Sequence, residues 1–347
     1  MDSRIDPAAD ARWMAAAIAL SERGRGRTAP NPNVGCVIVK HGRVVGRGWT
    51  QPGGRPHAEA VALEQAGASA LGATAYVTLE PCAHHGARGP ACADLLVAAR
   101  PARVVAAITD PDPRTAGQGF ARLRAAGIAV TEGILVEPAR RAMAGFLTRQ
   151  TLGRPHVTLK LATSLDGKIA LPSGESRWIT GPEARAHAHL ERARADAILV
   201  GRGTHDADTP RLDVRLPGLE DRAPARLLLS RSFAAQASAE HPALITEMLL
   251  GGGGGGYLVL SAPDQITALP RTDHVLVEGG AGVASSFLAA DLVDRLLLYR
   301  APILIGEGRA AIGDIGLGQL SEAHGRWALT DTRTFGIDPL EIYERRR

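Results

Sequence analysis

The chain has 347 residues, 45% of them hydrophobic and 22% charged, a composition that excludes a disordered chain and suggests two domains. A net charge of +4, aromatics at 4% and no dense Lys/Arg block before the last three residues argue against a nucleic-acid face. No run approaches the ~18 apolar residues of a membrane span. The N-terminus lacks the pattern of a signal peptide, and three cysteines (Cys36, Cys82, Cys92) do not make a disulfide framework, so a cytoplasmic location is expected.

Residues 10–22 read as an amphipathic helix. Val34 to Val39 and Arg43 to Trp49 read as strands joined in a hairpin at His41-Gly42. His57 to Ala66 is helical in pattern, and Gly67 stops it. Ala73 to Leu79 reads as a strand, Cys92 to Ala99 as a helix and Arg103 to Ile108 as a strand. Gly119 to Ala126 is helical, Ile128 to Val130 a short strand and Glu137 to Arg149 one more helix. The alternation predicts an α/β domain with a mostly parallel sheet over residues 1–148.

A second α/β domain is expected over 149–347. Its strands are His156 to Ala162, Ala197 to Val200, Arg226 to Ser230, Tyr257 to Leu260, His274 to Glu278 and Arg295 to Pro302. Pro182 to Ala193 reads as a helix, and another begins at Ser285. The hexaglycine Gly251 to Gly256 contains a formal G-x-G-x-x-G. No strand leads into it and no helix follows, so it is expected to be a flexible surface loop rather than a dinucleotide fingerprint.

The first half carries a chemical constellation. His57 and Glu59 open a helix, Cys82 follows a strand and Cys92 begins a helix. One imidazole and two thiolates suit Zn²⁺ and leave a fourth position for water. A carboxylate two residues after the histidine can shuttle a proton from that water to a leaving amine. Zinc nucleobase deaminases carry a similar pattern, H-x-E…P-C-x-x-C, from which the nine residues between the cysteines here depart. His84 and His85, between the cysteines, are rival ligands. Cys36 reads as a core thiol, and Asn33 as either a turn residue or a pocket residue.

Several runs resemble the bifunctional deaminase–reductase family of riboflavin biosynthesis. They are Asn31 to Cys36, His57-Ala58-Glu59, Thr78 to Gly86, Asp110 to Pro113, Ala116 to Gly119, Lys160 to Lys168 and Gly174 to Thr180. Nine residues separate the cysteines, one more than is usual in that family. The resemblance implies a cytidine-deaminase-like N-terminal domain followed by a dihydrofolate-reductase-like C-terminal domain that uses NADPH. It implies zinc on His57, Cys82 and Cys92, with Glu59 as proton donor. The substrate would be a diaminopyrimidinone ribosylamine phosphate, whose deaminated product is then reduced at ribose C1′. A deaminase of nucleosides or RNA bases would leave the second half unexplained. A binding protein that had lost its chemistry would not need the intact zinc set.

In the second half the residues alone say less. Glu278 to Gly282 lies between a strand and a helix, where it forms either a tight turn or a phosphate-binding helix start. The segment after Val200 would put Thr204 and Asp208 at a strand's C-terminal end, where α/β domains bind ligands. By the resemblance, Ala162, Trp178, Thr204, Asp208, Ser230, Gly280, Ala281, Gly282, Val283, Ala284, Ser285 and Ser286 would surround NADPH. Ser176, Arg192, Leu212, Arg215 and Glu278 would meet the substrate, with the two arginines suited to its phosphate. Asp208 would be the catalytic residue. The expected partners are this small molecule and further copies of the chain.

Overall fold

The computed structural model describes residues 6–84, 89–232 and 256–347. Most of the hexaglycine, and His85, lie outside them. The chain divides into two compact units, Met1–Gly153 and Arg154–Arg347. The break falls a few residues after the expected junction at 148/149 because helix Ala144–Leu152 runs through that point.

In the first unit, α1 (Pro7–Ser21) starts on Asp6, whose carboxylate accepts the N–H groups of Ala8 and Ala9. The strands β1 (Gly35–Lys40) and β2 (Arg43–Trp49) form the expected hairpin, with His41 and Gly42 at left-handed φ of 49° and 71°. Then come α2 (Ala58–Ala66), β3 (Thr74–Leu79), α3 (Cys92–Ala99), β4 (Arg103–Ile108), α4 (Gln118–Ala125) and β5 (Ala129–Thr131). The sheet order is β2-β1-β3-β4-β5.

This sheet is mixed rather than mostly parallel. The pairs β1/β2 and β1/β3 are antiparallel, while β3/β4 and β4/β5 are parallel. A two-residue turn can join only antiparallel strands. The crossover through α2 then lays β3 parallel to β2, and so antiparallel to β1 between them. The single helix expected over 137–149 is two, α5 (Val136–Ala142) and α6 (Ala144–Leu152). They break at Met143, which is fully buried, with its sulfur accepting the Thr78 hydroxyl at 3.8 Å.

The second unit contains β6 (His156–Thr163), β7 (Lys168–Ala170), α7 (Pro182–Ala193), β8 (Ala197–Gly201), α8 (Arg202–Asp208), β9 (Ala225–Leu229) and β10 (Leu258–Leu260). It continues with β11 (His274–Val277), α9 (Ala281–Ala289), β12 (Arg295–Arg300), β13 (Arg309–Ala310), β14 (Trp327–Phe335) and β15 (Asp338–Arg345). The main sheet runs β10-β9-β8-β11-β6-β12-β15-β14, parallel as far as β12 and antiparallel beyond. Its central strands are apolar runs buried on both faces, as a parallel sheet under helices requires. Among the described residues no helix is long and apolar enough to cross a membrane.

A buried ion pair joins the starts of β6 and β12. Arg154 donates to both oxygens of Asp294, at 2.7 and 2.8 Å, and Val157 N–H donates to the same carboxylate at 2.8 Å. Burial alone would raise the Asp294 pKa, but Arg154, His156 and the Val157 N–H bring it below the usual carboxylate range. Its contribution to stability is therefore present above the unfolded carboxylate pKa and is lost as the pH falls through the folded one. Asp294→Ala is expected to destabilise the second unit by about 3–5 kcal/mol, because Arg154 is left buried without its partner. Urea unfolding measures the loss.

Candidate active sites

In the first unit, three side chains from three element ends converge. His57 is the N-cap of α2, Cys82 lies just beyond β3 and Cys92 is the first residue of α3. His57 Nδ1 is 3.3 Å from Cys92 Sγ and 3.6 Å from Cys82 Sγ, and the Cys92 N–H donates to Cys82 Sγ at 3.3 Å. The three donor atoms all lie within 4.8 Å of one another. The bond from Cys92, then His57 and the Cys92 N–H, hold the Cys82 thiol well below its ordinary range despite burial. A nitrogen and two sulfurs so disposed fit three corners of a zinc tetrahedron. On the far side of the imidazole, Asn31 Nδ2 lies 3.0 Å from Nε2 and also donates to the Gly54 carbonyl at 2.8 Å.

Glu59 sits in the first turn of α2 and is 3% exposed. Burial raises its carboxyl to about 7; His57 opposes the rise and Cys82 adds to it. Both His57 and Glu59 line a cavity of about 470 Å³. Its walls include Asn31, Arg55, Asp110, Asp112, Arg114 and Phe146, none of which was assigned a role from sequence. Burial also raises Asp110, to about 6. Asn31, Asp110 and Asp112 fall in the motif runs 31–36 and 110–113, which carry no ligand pattern of their own, and Arg55, Arg114 and Phe146 lie outside every such run.

Of the rival ligands, His84 turns to Thr115, with Nδ1 3.2 Å from its hydroxyl, and is not in the donor group. Asn33 donates to the carbonyls of Ser21 and Ala142 and ties α1 to α5. Cys36 is fully buried in β1.

In the second unit a larger cavity, about 810 Å³, lies beyond the C-terminal ends of β8, β9 and β11. It is lined by Thr204 and Asp208 of α8, Ser230 after β9, and Gly280, Ala281, Gly282, Val283 and Ser286 at the start of α9. Ser176 borders it too. The helix begins at Ala281, earlier than expected, because Gly280 caps it directly after β11. A Cβ on Gly282 would meet no atom within 4 Å, and one on Gly280 would first meet the Thr204 hydroxyl at 3.7 Å. A phosphate-bearing ligand could therefore reach the backbone N–H groups of this helix start.

Not all of the expected residues line this cavity. Ala284 and Leu212 are in the core, and Ser285 is buried with its hydroxyl accepting the Gly313 N–H at 2.7 Å. Ala162 lies on β6 and packs at the core edge. Trp178 is 66% exposed between the guanidinium groups of Arg177 and Arg185. Arg192 is engaged twice by Glu278, at 2.7 and 3.0 Å. Although burial pushes Glu278 up, Arg192 and Lys160 hold it down at about 2. Arg215 stands beside His189 and Asp213 with 58% of its side chain exposed. Asp208 accepts Arg177 at 2.7 Å.

Residues 7–108 match the family model of the cytidine and deoxycytidylate deaminase zinc-binding region, and residues 155–339 that of the RibD C-terminal domain. The riboflavin biosynthesis protein RibD of Escherichia coli is 42% identical over 345 residues, covering 90% of this chain and 94% of its own. That of Aquifex aeolicus is 40% identical over 332 residues, covering 90% and 92%. Acinetobacter baumannii RibD, form 1, superposes with a TM-score of 0.83 at 37% identity, covering 99% of this chain and 100% of that one. A Thermotoga maritima diaminohydroxyphosphoribosylaminopyrimidine deaminase/5-amino-6-(5-phosphoribosylamino)uracil reductase superposes with a TM-score of 0.81 at 32% identity, covering 98% and 99%. With a zinc-type donor set beside a buried carboxyl in one unit and a phosphate-accessible helix start in the other, the chain belongs to the RibD family of riboflavin-biosynthesis deaminase–reductases.

Proposed function

We propose that the first unit deaminates the diaminopyrimidinone ribosylamine phosphate and that the second reduces the resulting 5-amino-6-(5-phosphoribosylamino)uracil at ribose C1′. The observation that carries the first half is the His57, Cys82 and Cys92 group beside the buried Glu59 in one cavity. Zinc, when bound by those three side chains, supplies the Lewis acidity that makes water nucleophilic near neutral pH. Glu59 takes a proton from the attacking water and returns it to the departing amine, so ammonia leaves and a carbonyl replaces the amino group. The cavity's acids and arginines orient the pyrimidine.

In the second unit NADPH, when bound at the α9 start, supplies the hydride for C1′. Opening the sugar breaks the bond from C1′ to the ring oxygen, which then needs a proton. Asp208, on the cavity wall, relays it. Arg215, more exposed than Arg192, meets the substrate phosphate. The role of Arg192 is to hold Glu278 ionised.

The test is incubation of the purified chain with the pyrimidinone ribosylamine phosphate, with and without NADPH, and mass analysis of the products. Deaminated product alone should form without NADPH, and the ribityl compound with it. We also expect one zinc per chain by elemental analysis, and its loss in Cys92→Ser together with deamination but not reduction. Chelator-free protein that holds no zinc at neutral pH would sink the assignment.

A further inference from the structure

Glu80 follows β3 and precedes Cys82 by two residues, and it is 2% exposed. Its carboxylate accepts four backbone N–H groups. Oε2 takes those of Asp110 at 3.2 Å and Gly117 at 2.9 Å; Oε1 takes those of Gly119 at 2.9 Å and Phe120 at 3.3 Å. All four belong to the two ends of one segment, 110–120. The segment is pressed close: a Cβ on Gly119 would lie 2.1 Å from the Pro81 carbonyl oxygen. Between its ends, Asp112 N–H donates to Asp110 at 2.9 Å, and Asp112 in turn accepts the Arg114 side chain. Asp110, Asp112 and Arg114 line the cavity that holds His57 and Glu59.

A carboxylate with both oxygens engaged twice by N–H groups has little acceptor capacity left for a ligand. Glu80 borders the cavity but its charge is directed at the segment. We infer that Glu80 is a positioning residue of the deamination site: it pins both ends of the 110–120 segment and so sets where Asp110, Asp112 and Arg114 stand around the pyrimidine. This rests on the deaminase function proposed for the first unit. The residue does not touch the reacting atoms, so its removal acts on substrate placement rather than on proton transfer.

The experiment uses full-length zinc-loaded protein and its Glu80→Gln variant, which keeps the shape but turns one acceptor oxygen into a donor facing two N–H groups. Three quantities are measured: deamination kinetics, zinc content and amide hydrogen exchange. We expect KM for the pyrimidinone substrate to rise about tenfold or more with kcat changed by less than about threefold, since misplacement without loss of the proton shuttle weakens binding first. Exchange should accelerate over 110–120 while α2 and α3 stay protected and zinc stays at one per chain. Gly119→Ala, which pushes the same junction from the other side, should give the same KM change.

Unchanged KM with unchanged protection of 110–120 overturns the inference. So does loss of zinc, or of protection across the whole first unit, because Glu80 would then serve the fold at large. If the wild-type chain itself fails to deaminate the substrate, the functional proposal fails, and the exchange measurement still decides whether Glu80 holds the segment.

Discussion

Glu59→Gln is expected to slow deamination by at least ~10²-fold while zinc stays at one per chain and reduction of pre-deaminated substrate is unchanged. The amide matches the carboxyl in shape but cannot take a proton from water and hand it to an amine. The fold should tolerate the change. Burial already raises Glu59 to about 7, so the site accommodates a neutral group near neutral pH. His57, Cys82 and Cys92 are unchanged, and an amide at position 59 can still hydrogen-bond to Cys92 as the carboxyl does. Deamination and zinc are to be measured on one sample. Near-normal turnover by this variant would remove Glu59 from the mechanism and leave the buried carboxyl as a packing residue.

Asp208→Asn is expected to lower the rate of ribose reduction by about 10²-fold or more, a general-acid loss, and to leave deamination intact. The carboxylate closes α8 and faces the larger cavity, where it also accepts Arg177. That ion pair is largely exposed, so breaking it should cost at most about 1 kcal/mol of stability. NADPH oxidation on the deaminated substrate reads the effect, with circular dichroism as the folding control. Reduction at the wild-type rate would mean that Asp208 serves only to anchor Arg177.

Much of the first site was legible in the sequence, because its signals are local. Gly67 ends α2 where expected, at a left-handed φ of 51°. The apolar run Thr74–Leu79 leads to Cys82, and Cys92 opens a helix whose bounds match the expectation, Cys92–Ala99. The hairpin turn at His41-Gly42 was readable from turn chemistry alone. The same holds for β8, a short apolar run that is buried throughout.

Tertiary structure decided the rest. Strand β14 carried no periodic signal, because most of it faces solvent and its side chains are mixed, whereas β15 alternates weakly, burying Leu340 and Ile342, and takes its place only by pairing with β12. The break at Met143 follows from a pocket in the core that Thr78, distant in sequence, helps to form. By the resemblance Arg192 and Glu278 both meet the substrate; that they pair with each other, 86 residues apart, is a contact that leaves no local trace. Glu80 is the clearest case. Within Thr78 to Gly86 it is one polar residue shortly before Cys82, and only the return of the chain after β4 delivers four N–H groups to it. Propensity, capping and turn chemistry act over a few residues and are written in the local sequence. Which buried charge meets which backbone donor depends on how strands far apart in the chain are ordered in the sheet.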